Sequence, residues 1–476
     1  MKSSKHIYSW FSVFALFFFI TSCNEELLNP EPQTAIEEEE VFKAYETSQA
    51  ALVGVYDQLS SPEFEGLYVP IFGDLVGDDL MISPDNNYNW FVAVYQMNIL
   101  PNYSASDYPW WAGYKVIFDA NKIVANAQSI PDATSDQKNR LEGEAKAMRA
   151  FVMLKLVQMF APSYISNPEA PSILLATEPL LHNDADLSRA PLSEVYAQME
   201  ADLLSAINLL EYRDDIDDKG FFDKRAAQAI LARVYLNMQQ WEKARDMAVE
   251  AYTDVDLVAV ANLFDGFYYR NSETIFTVAY TQEDNNTYLT IPSFYYPIYG
   301  YSSMRANNKF VDLFSSNDVR SNYFLIEPEI DKDRNLILKF LHNQSVGNAE
   351  RISIRASEMY LIAAECEAEL GNNKEAQDAL YTIQSRANPS VVKSTATGQD
   401  LVDEILVERR KELFGEGFRW NDIKRRQSRF IREGDHWVKF DFSAEDEDDY
   451  RLTYPIPQSE IDNNVELTNE DQNIGY

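Results

Sequence analysis

The sequence predicts a mainly α protein: a helical-repeat superhelix that carries an irregular, loop-rich insertion lobe. Three observations predict it. Apolar residues recur at three- and four-residue steps through most of the chain. Two stretches repeat one pattern of small and aromatic residues. Two long segments break the helical rhythm and are rich in Asn, Asp, Ser, Pro and aromatics.

The N-terminus comes first. Lys2, Lys5 and His6 make a basic start, Tyr8 to Ile20 is almost wholly apolar, and the run closes in Ile20-Thr21-Ser22-Cys23. That order is a secretory signal. The apolar run falls short of the roughly 17–25 residues that a bilayer-crossing helix needs. A cysteine at the first mature position resembles a bacterial lipobox, so residues 1–22 are expected to be a signal peptide and Cys23 to carry lipid. Residues 23–36, with Glu25, Glu26, Pro30 and Pro32, then read as a flexible tether. An acidic pair just after the cysteine resembles the signal that sends some lipoproteins to the outer face of the outer membrane.

The helices follow in order. Glu37–Leu59 places Val41, Tyr45, Ala51, Leu52, Val55 and Leu59 at helical spacing. From Leu141 to Phe160 the apolar set Leu141, Ala145, Met148, Val152, Leu156 and Met159 is clearer still. Pro191 sits where a first-turn proline belongs, ahead of Tyr196, Met199, Leu203, Ile207 and Leu210. In 225–252, Leu231, Ala232, Tyr235, Ala244, Ala248 and Ala251 occupy the small and aromatic positions of a tetratricopeptide-like hairpin. In 355–387, Tyr360, Ala364, Ala376 and Leu380 do so again, with Gly371-Asn372 at the turn. Small residues are needed where two helix backbones cross, and each hairpin then buries its other face on the next. The expected scaffold is therefore about 37–63, 112–256 and 351–430. The expected lobe is about 64–111 and 257–350, with one short strand at Thr274–Tyr280.

Composition narrows the function. The formal charge is −35, and −37 once Lys2 and Lys5 leave with the signal. Such a chain is a poor match for nucleic acid, whose affinity rests on basic patches, and for charge-driven adsorption to anionic lipid. A lipid anchor must hold it to a membrane, and a single acyl chain is marginal for that. Cys366 is the one other cysteine and lies on an apolar helical face, so it reads as a core residue. His182, His342 and His436 stand apart from one another. HExxH, paired cysteines and G-x-S-x-G are missing from the sequence.

Several segments together carry a resemblance. They are Ala50-Ala51-Leu52-Val53-Gly54-Val55-Tyr56; Trp111-Ala112-Gly113-Tyr114 with Ala120-Asn121-Lys122-Ile123; and Glu144-Ala145-Lys146-Ala147-Met148-Arg149-Ala150-Phe151. Arg189 ahead of Glu194-Val195-Tyr196, the run Ala226 to Leu236, and Glu408-Arg409-Arg410 through Glu416-Gly417 to Lys424-Arg425 complete them. In this order, behind a lipobox, the chain resembles the SusD/RagB family of outer-membrane lipoproteins over nearly its whole length, and 37–476 would be one SusD-like domain. One departure is the longer polar stretch between Pro162 and Glu178-Pro179-Leu180. The resemblance implies a non-enzymatic glycan-binding protein at the cell exterior. It would serve as a lid on a SusC-like TonB-dependent transporter, its helical side toward the transporter and its loops toward sugar.

A sugar offers apolar C–H faces and a ring of hydroxyls, so its site wants aromatic platforms beside polar side chains. No cofactor or metal is expected. Asp85, Asn87, Tyr88 and Trp90 form one candidate stretch; Tyr296, Tyr299 and Tyr301 form another, with Arg305, Asn307 and Asn308 close behind. The competing reading makes these aromatics lobe core. Trp110 and Trp111 are expected in the core, Trp111 through its W-x-x-Y match. Asp74, Asp78 and Asp79 could serve glycosidase-like acid/base work but sit near a turn, where Asp commonly caps. The charged run Glu408–Arg426 fits a structural ion network. Asp215–Gly220 fails as a calcium loop, because Lys219 stands where a ligand should and Ala226 replaces the closing Glu. A peptide receptor on the same scaffold and a glycoside hydrolase are the alternative functions.

Overall fold

The computed structural model describes residues 38–180, 187–446 and 449–476. The signal peptide, Cys23, the tether and His182 lie outside the described residues.

Among the described residues, nine long helices form a continuous array in which each packs on the next. Tyr45–Leu59 lies on Ser104–Asn126, which lies on Ser135–Phe160; Leu192–Leu209, Lys224–Asn237 and Trp241–Tyr252 follow, then Ala356–Glu369, Asn373–Ala387 and Gln399–Glu412. Ser135–Phe160 is central. All six of its periodic positions from Leu141 to Met159 are buried, and so are most residues between them, because neighbours cover it on several sides. Its start is fixed by a capping box: Gln137 N–H donates to Thr134 Oγ1 and Thr134 N–H donates to Gln137 Oε1 at 2.9 Å. Pro191 is the cap residue ahead of Leu192–Leu209, one position earlier than a first-turn proline.

The hairpins close through their small residues. Ala244, Ala248 and Ala251 are the buried side chains of Trp241–Tyr252. Ala364 and Ala376 are likewise inaccessible. Trp241–Tyr252 packs directly on Ala356–Glu369, and the Tyr252 and Tyr360 rings stack with centroids 3.9 Å apart. The chain between those helices is thus an insertion into an otherwise unbroken array.

The first lobe segment holds more helix than its sequence rhythm suggests. Tyr68–Leu75 is buried nearly all round, which erases the period that would reveal it. Ser104–Asn126 begins ahead of residue 112, with Pro109 inside it. Thr274–Val278 forms the expected strand, slightly shorter, and pairs antiparallel with Arg351–Arg355. A four-stranded sheet of the lobe joins Leu80–Ile82, Met304–Ala306, Asp331–Ile337 and Phe324–Glu327 in that spatial order.

Buried charge joins lobe to array. Arg355 meets Glu273 (3.1 Å), Glu412 (2.7 Å) and Glu416 (2.7 Å). Arg320 meets Asp318 and Glu412, and Lys339 donates to Glu416 at 2.5 Å. Burial alone would raise the Glu416 carboxyl, but Arg355 and Lys339 bring it down to about 2. Glu408 and Glu412, at helical spacing on Gln399–Glu412, and Glu416 in the turn beyond it therefore belong to a structural network, as the sequence suggests for the charged run. Gly417, at φ +87, permits the chain to turn beneath Pro70, whose Cα a Cβ would meet at 2.7 Å.

Candidate functional site

Two strands bring the site together. Leu80–Ile82 pairs antiparallel with Met304–Ala306, with Ile82 opposite Met304, and Ser83 N–H donates to Ser303 O at 2.8 Å. The loop leaving the first strand is therefore laid beside the loop entering the second. The first carries Asp85–Phe91 and the second Tyr288–Tyr301.

Tyr301 is the hub. Its ring centroid lies 5.6 Å from Tyr88, 5.8 Å from Trp90, 5.0 Å from Phe294 and 6.1 Å from Tyr288. Gly300 makes this possible. A Cβ there would fall 2.3 Å from Ser293 O, so only glycine lets the chain fold back and Ser302 N–H donate to that oxygen at 2.9 Å. Phe294 and Tyr295 are core, while Trp90, Tyr296 and Tyr301 are partly buried. Tyr88 (62% exposed), Tyr299 (54%) and Tyr288 (51%) face solvent. The result is a rigid floor of packed rings with exposed rings around it, a shape suited to stacking on the apolar face of a flat ligand.

The loops are held under strain. Tyr88 (φ 51), Asn89 (61), Phe91 (54), Thr287 (50), Tyr299 (68) and Ser302 (44) all lie in the left-handed region. For a residue with a Cβ this costs about 1–2 kcal/mol, and such residues gather at ligand-clamping sites.

The polar candidates divide. Asp85 is exposed and pairs with Arg334 at 3.3 Å. Asn87 holds its own turn, donating to Ser83 O (3.0 Å) and accepting from Asn89 N–H (2.8 Å). Arg305 is buried on Asp331, Ser302 O and Met304 O. Asn307 donates to Glu433 O and Asn308 accepts from Asp435 N–H. These last three anchor the strand and its flanks, and Arg305 Nη2 is left buried without a hydrogen-bond partner. Sequence reading did not single out Tyr288, although Asn285-Asn286-Thr287-Tyr288 has the same polar-aromatic composition as 85–91. Arg334 carried no such signal.

Trp111 requires a correction. Trp110 is the buried ring, 4.9 Å from Tyr114 and 5.0 Å from Phe160, whereas Trp111 is 52% exposed beneath the Lys115 ammonium. Tyr114 lies on the face of the residue four before it, not three.

The three aspartates are engaged. Asp74 caps the 417–419 turn, accepting from Gly417 N–H (2.7 Å) and Arg419 N–H (3.2 Å), and burial pushes its carboxyl up to about 7. Asp78 accepts from Arg419 Nε (2.6 Å) and Arg410 Nη2 (3.1 Å). Against the upward pull of burial, these arginines hold it well below the usual carboxylate range. Asp79 accepts from Arg410 Nε at 2.6 Å; burial and the Asp78 charge raise it. All three carboxyls are thus engaged by backbone amides or arginines of the 410–419 segment. His342 and His436 are buried, which lowers them to about 4 and about 3. Cys366 is buried, as its helical position suggests. Among the described residues no group of three or more His, Cys, Asp or Glu converges as a metal site. No helix among them is long and apolar enough to cross a membrane.

Fold and site define a class: a tetratricopeptide-like helical array whose inserted lobe displays an aromatic patch. Residues 267–476 match the SusD family model, and residues 36–236 match a second, described as starch-binding associating with outer membrane. The chain belongs to the SusD/RagB family. It is similar to a SusD-like protein of Formosa agariphila, 23% identical over 545 residues with both chains covered in full. A SusD superfamily structure from Bacteroides thetaiotaomicron superposes with a TM-score of 0.81 at 26% identity, covering 90% of this chain and 99% of that one. A laminarin-binding SusD-like protein shares the fold with a TM-score of 0.73 at 23% identity, covering 91% and 100%.

Proposed function

We propose that this protein is a non-enzymatic, lipid-anchored receptor at the exterior of the outer membrane. It captures oligo- or polysaccharide and passes it to a TonB-dependent transporter. The observation that carries the reading is the convergence of Tyr88, Trp90, Tyr288 and Tyr301 on one solvent-facing patch of the lobe. Rings packed on one another are ordered before a ligand arrives, which lowers the entropy cost of capture. The starch-binding description of one matching family model and the laminarin-binding fold neighbour support a glycan as ligand. The lipobox around Cys23 supports the anchor.

Calorimetry against a glycan panel tests the reading. Binding of a glycan by the wild type, lost in Tyr88→Ala, is expected. Binding of peptides and of no glycan would favour a peptide receptor. Release of reducing ends, abolished in Asp78→Asn, would favour a hydrolase. A Cys23→Ala chain should be soluble and ligand-competent yet unable to support uptake. Co-purification of a large β-barrel with the native lipoprotein tests the transporter.

A further inference from the structure

A cleft of about 510 Å³ opens between the helical array and the lobe, within the usual range for small-ligand sites. Two other cavities of about 20 Å³ each hold no more than a water or so. The floor of the cleft is the Thr274–Val278 strand. One wall is the exposed side of the Tyr45–Leu59 helix and the turn after it; the facing wall is the Asp215–Phe221 loop.

The chemistry of the cleft is particular. Val53 and Phe221 supply apolar surface. Asp57, Asp217 and Asp284 line it, and their carboxylates form no hydrogen bond or ion pair with the described residues; Lys115 touches only the Trp111 ring, 5.6 Å away. Arg270 also lines it but is held by Glu350 and by Asp217 O. Gln58 donates to Asp119 at 2.8 Å and leaves its own Oε1 without a partner. Gln58 Oε1 is buried, but the three carboxylates line the cleft and only accept hydrogen bonds, so the matching ligand is rich in hydroxyl donors. An anionic chain would meet three carboxylates with one ammonium to oppose them, in a protein of net charge −35.

Cleft and aromatic patch share a wall. Asn286 faces the cleft, pinned by donating to Ser60 O (2.8 Å) and Tyr280 Oη (2.9 Å). Two residues later, Tyr288 belongs to the patch. The segment between them turns, with Leu289 N–H donating to Asn286 O at 2.9 Å, so the two residues lie within the roughly 7 Å that two fully extended residues would span, a distance one polymer bridges.

We propose that this cleft is a second saccharide subsite, continuous with the aromatic patch, that takes an uncharged, hydroxyl-rich glycan chain. The inference rests on the glycan-binding reading of the patch. Two linked contacts raise affinity for a long chain without changing either contact alone.

The test uses the full chain with laminarin and starch as neutral polymers, laminaritriose and maltotriose as short probes, and alginate as a uronate. Val53→Trp fills the cleft from a position 47% exposed, and Asp284→Ala removes an exposed acceptor. Both are expected to weaken binding of the retained neutral polymer about tenfold, to leave its trisaccharide unchanged, and to keep the melting temperature. Alginate should not bind. If both variants bind polymer like wild type while Tyr88→Ala loses it, the cleft is no subsite and the patch reading stands. If they lose trisaccharide and polymer alike while Tyr88→Ala loses neither, the two sites are not continuous. Wild-type failure to bind either neutral polymer would overturn both proposals, and alginate binding lost in Val53→Trp would overturn the uncharged class.

Discussion

In the helical array Trp110 lies at 3% exposure between Tyr114 and Phe160; in the lobe Tyr88 stands 62% exposed against Tyr301. Charge shows the same contrast. Arg355 is buried among three glutamates where lobe meets array, whereas the carboxylates of Asp57 and Asp284 at the cleft are exposed and have no partner among the described residues. Backbone shows it a third time: among the described residues, half of the twelve non-glycine residues with positive φ lie in the two loops of the patch. The core of the array turns its rings and charges inward. The lobe and the edge of the cleft leave aromatic faces and acceptors open to solvent, and the patch loops store strain, which are the conditions for binding something else.

The sharpest way to break this contrast is to attack the ion network. Arg355→Met leaves Glu273, Glu412 and Glu416 buried without their cation and should cost about 3–5 kcal/mol in chemical denaturation; a cost below about 1 kcal/mol would mean the network is not structural. Trp110→Ala opens a cavity in the array and should cost about 3–5 kcal/mol, with glycan affinity kept in the fraction that folds.

Asp74 tests the boundary through pH. Its folded pKa, about 7, lies above the ordinary 3.8, so the folded state favours the neutral acid. Its contribution to stability is full below about pH 4 and lost as pH rises through 7. The stability difference between wild type and Asp74→Asn, followed by melting from pH 4 to 8, should therefore move by a few kcal/mol against the wild type. A flat difference would show an unshifted Asp74.

Tyr88→Gly probes the stored strain. Glycine accepts φ 51 freely, so the variant should gain about 1 kcal/mol of stability from strain relief while losing glycan affinity. A variant that loses both would place Tyr88 on the stability side of the contrast. Trp111→Ala is the smallest effect, within about 0.5 kcal/mol, because the ring is exposed.

Much of the array was legible in the sequence because periodicity is a local property. Leu141 to Met159 are buried at the positions their spacing names, and Ala244, Ala248 and Ala251 close the hairpin where small residues were called for. Legibility failed where burial is not one-sided. Tyr68–Leu75, covered on all sides, shows no period, and the choice between Trp110 and Trp111 turned on a one-residue difference in helical face. At the patch, composition pointed to 85–91 and 294–301 but could not divide their rings. Phe294 and Tyr295 went to the core, and Tyr88 and Tyr299 to the surface.

The sequence by itself determined which residues could build the scaffold and which loops gather aromatic and polar side chains. Each is written in neighbours a few positions apart. Only the tertiary structure decided that two loops far apart in the chain form one patch, because the pairing of Ile82 with Met304 is non-local. It alone decided that Asp78 is held by arginines from the far end of the chain. It also decided that a turn with no calcium-loop chemistry becomes the wall of a cleft. Strand register and helix stacking set those distances, and no local pattern encodes them.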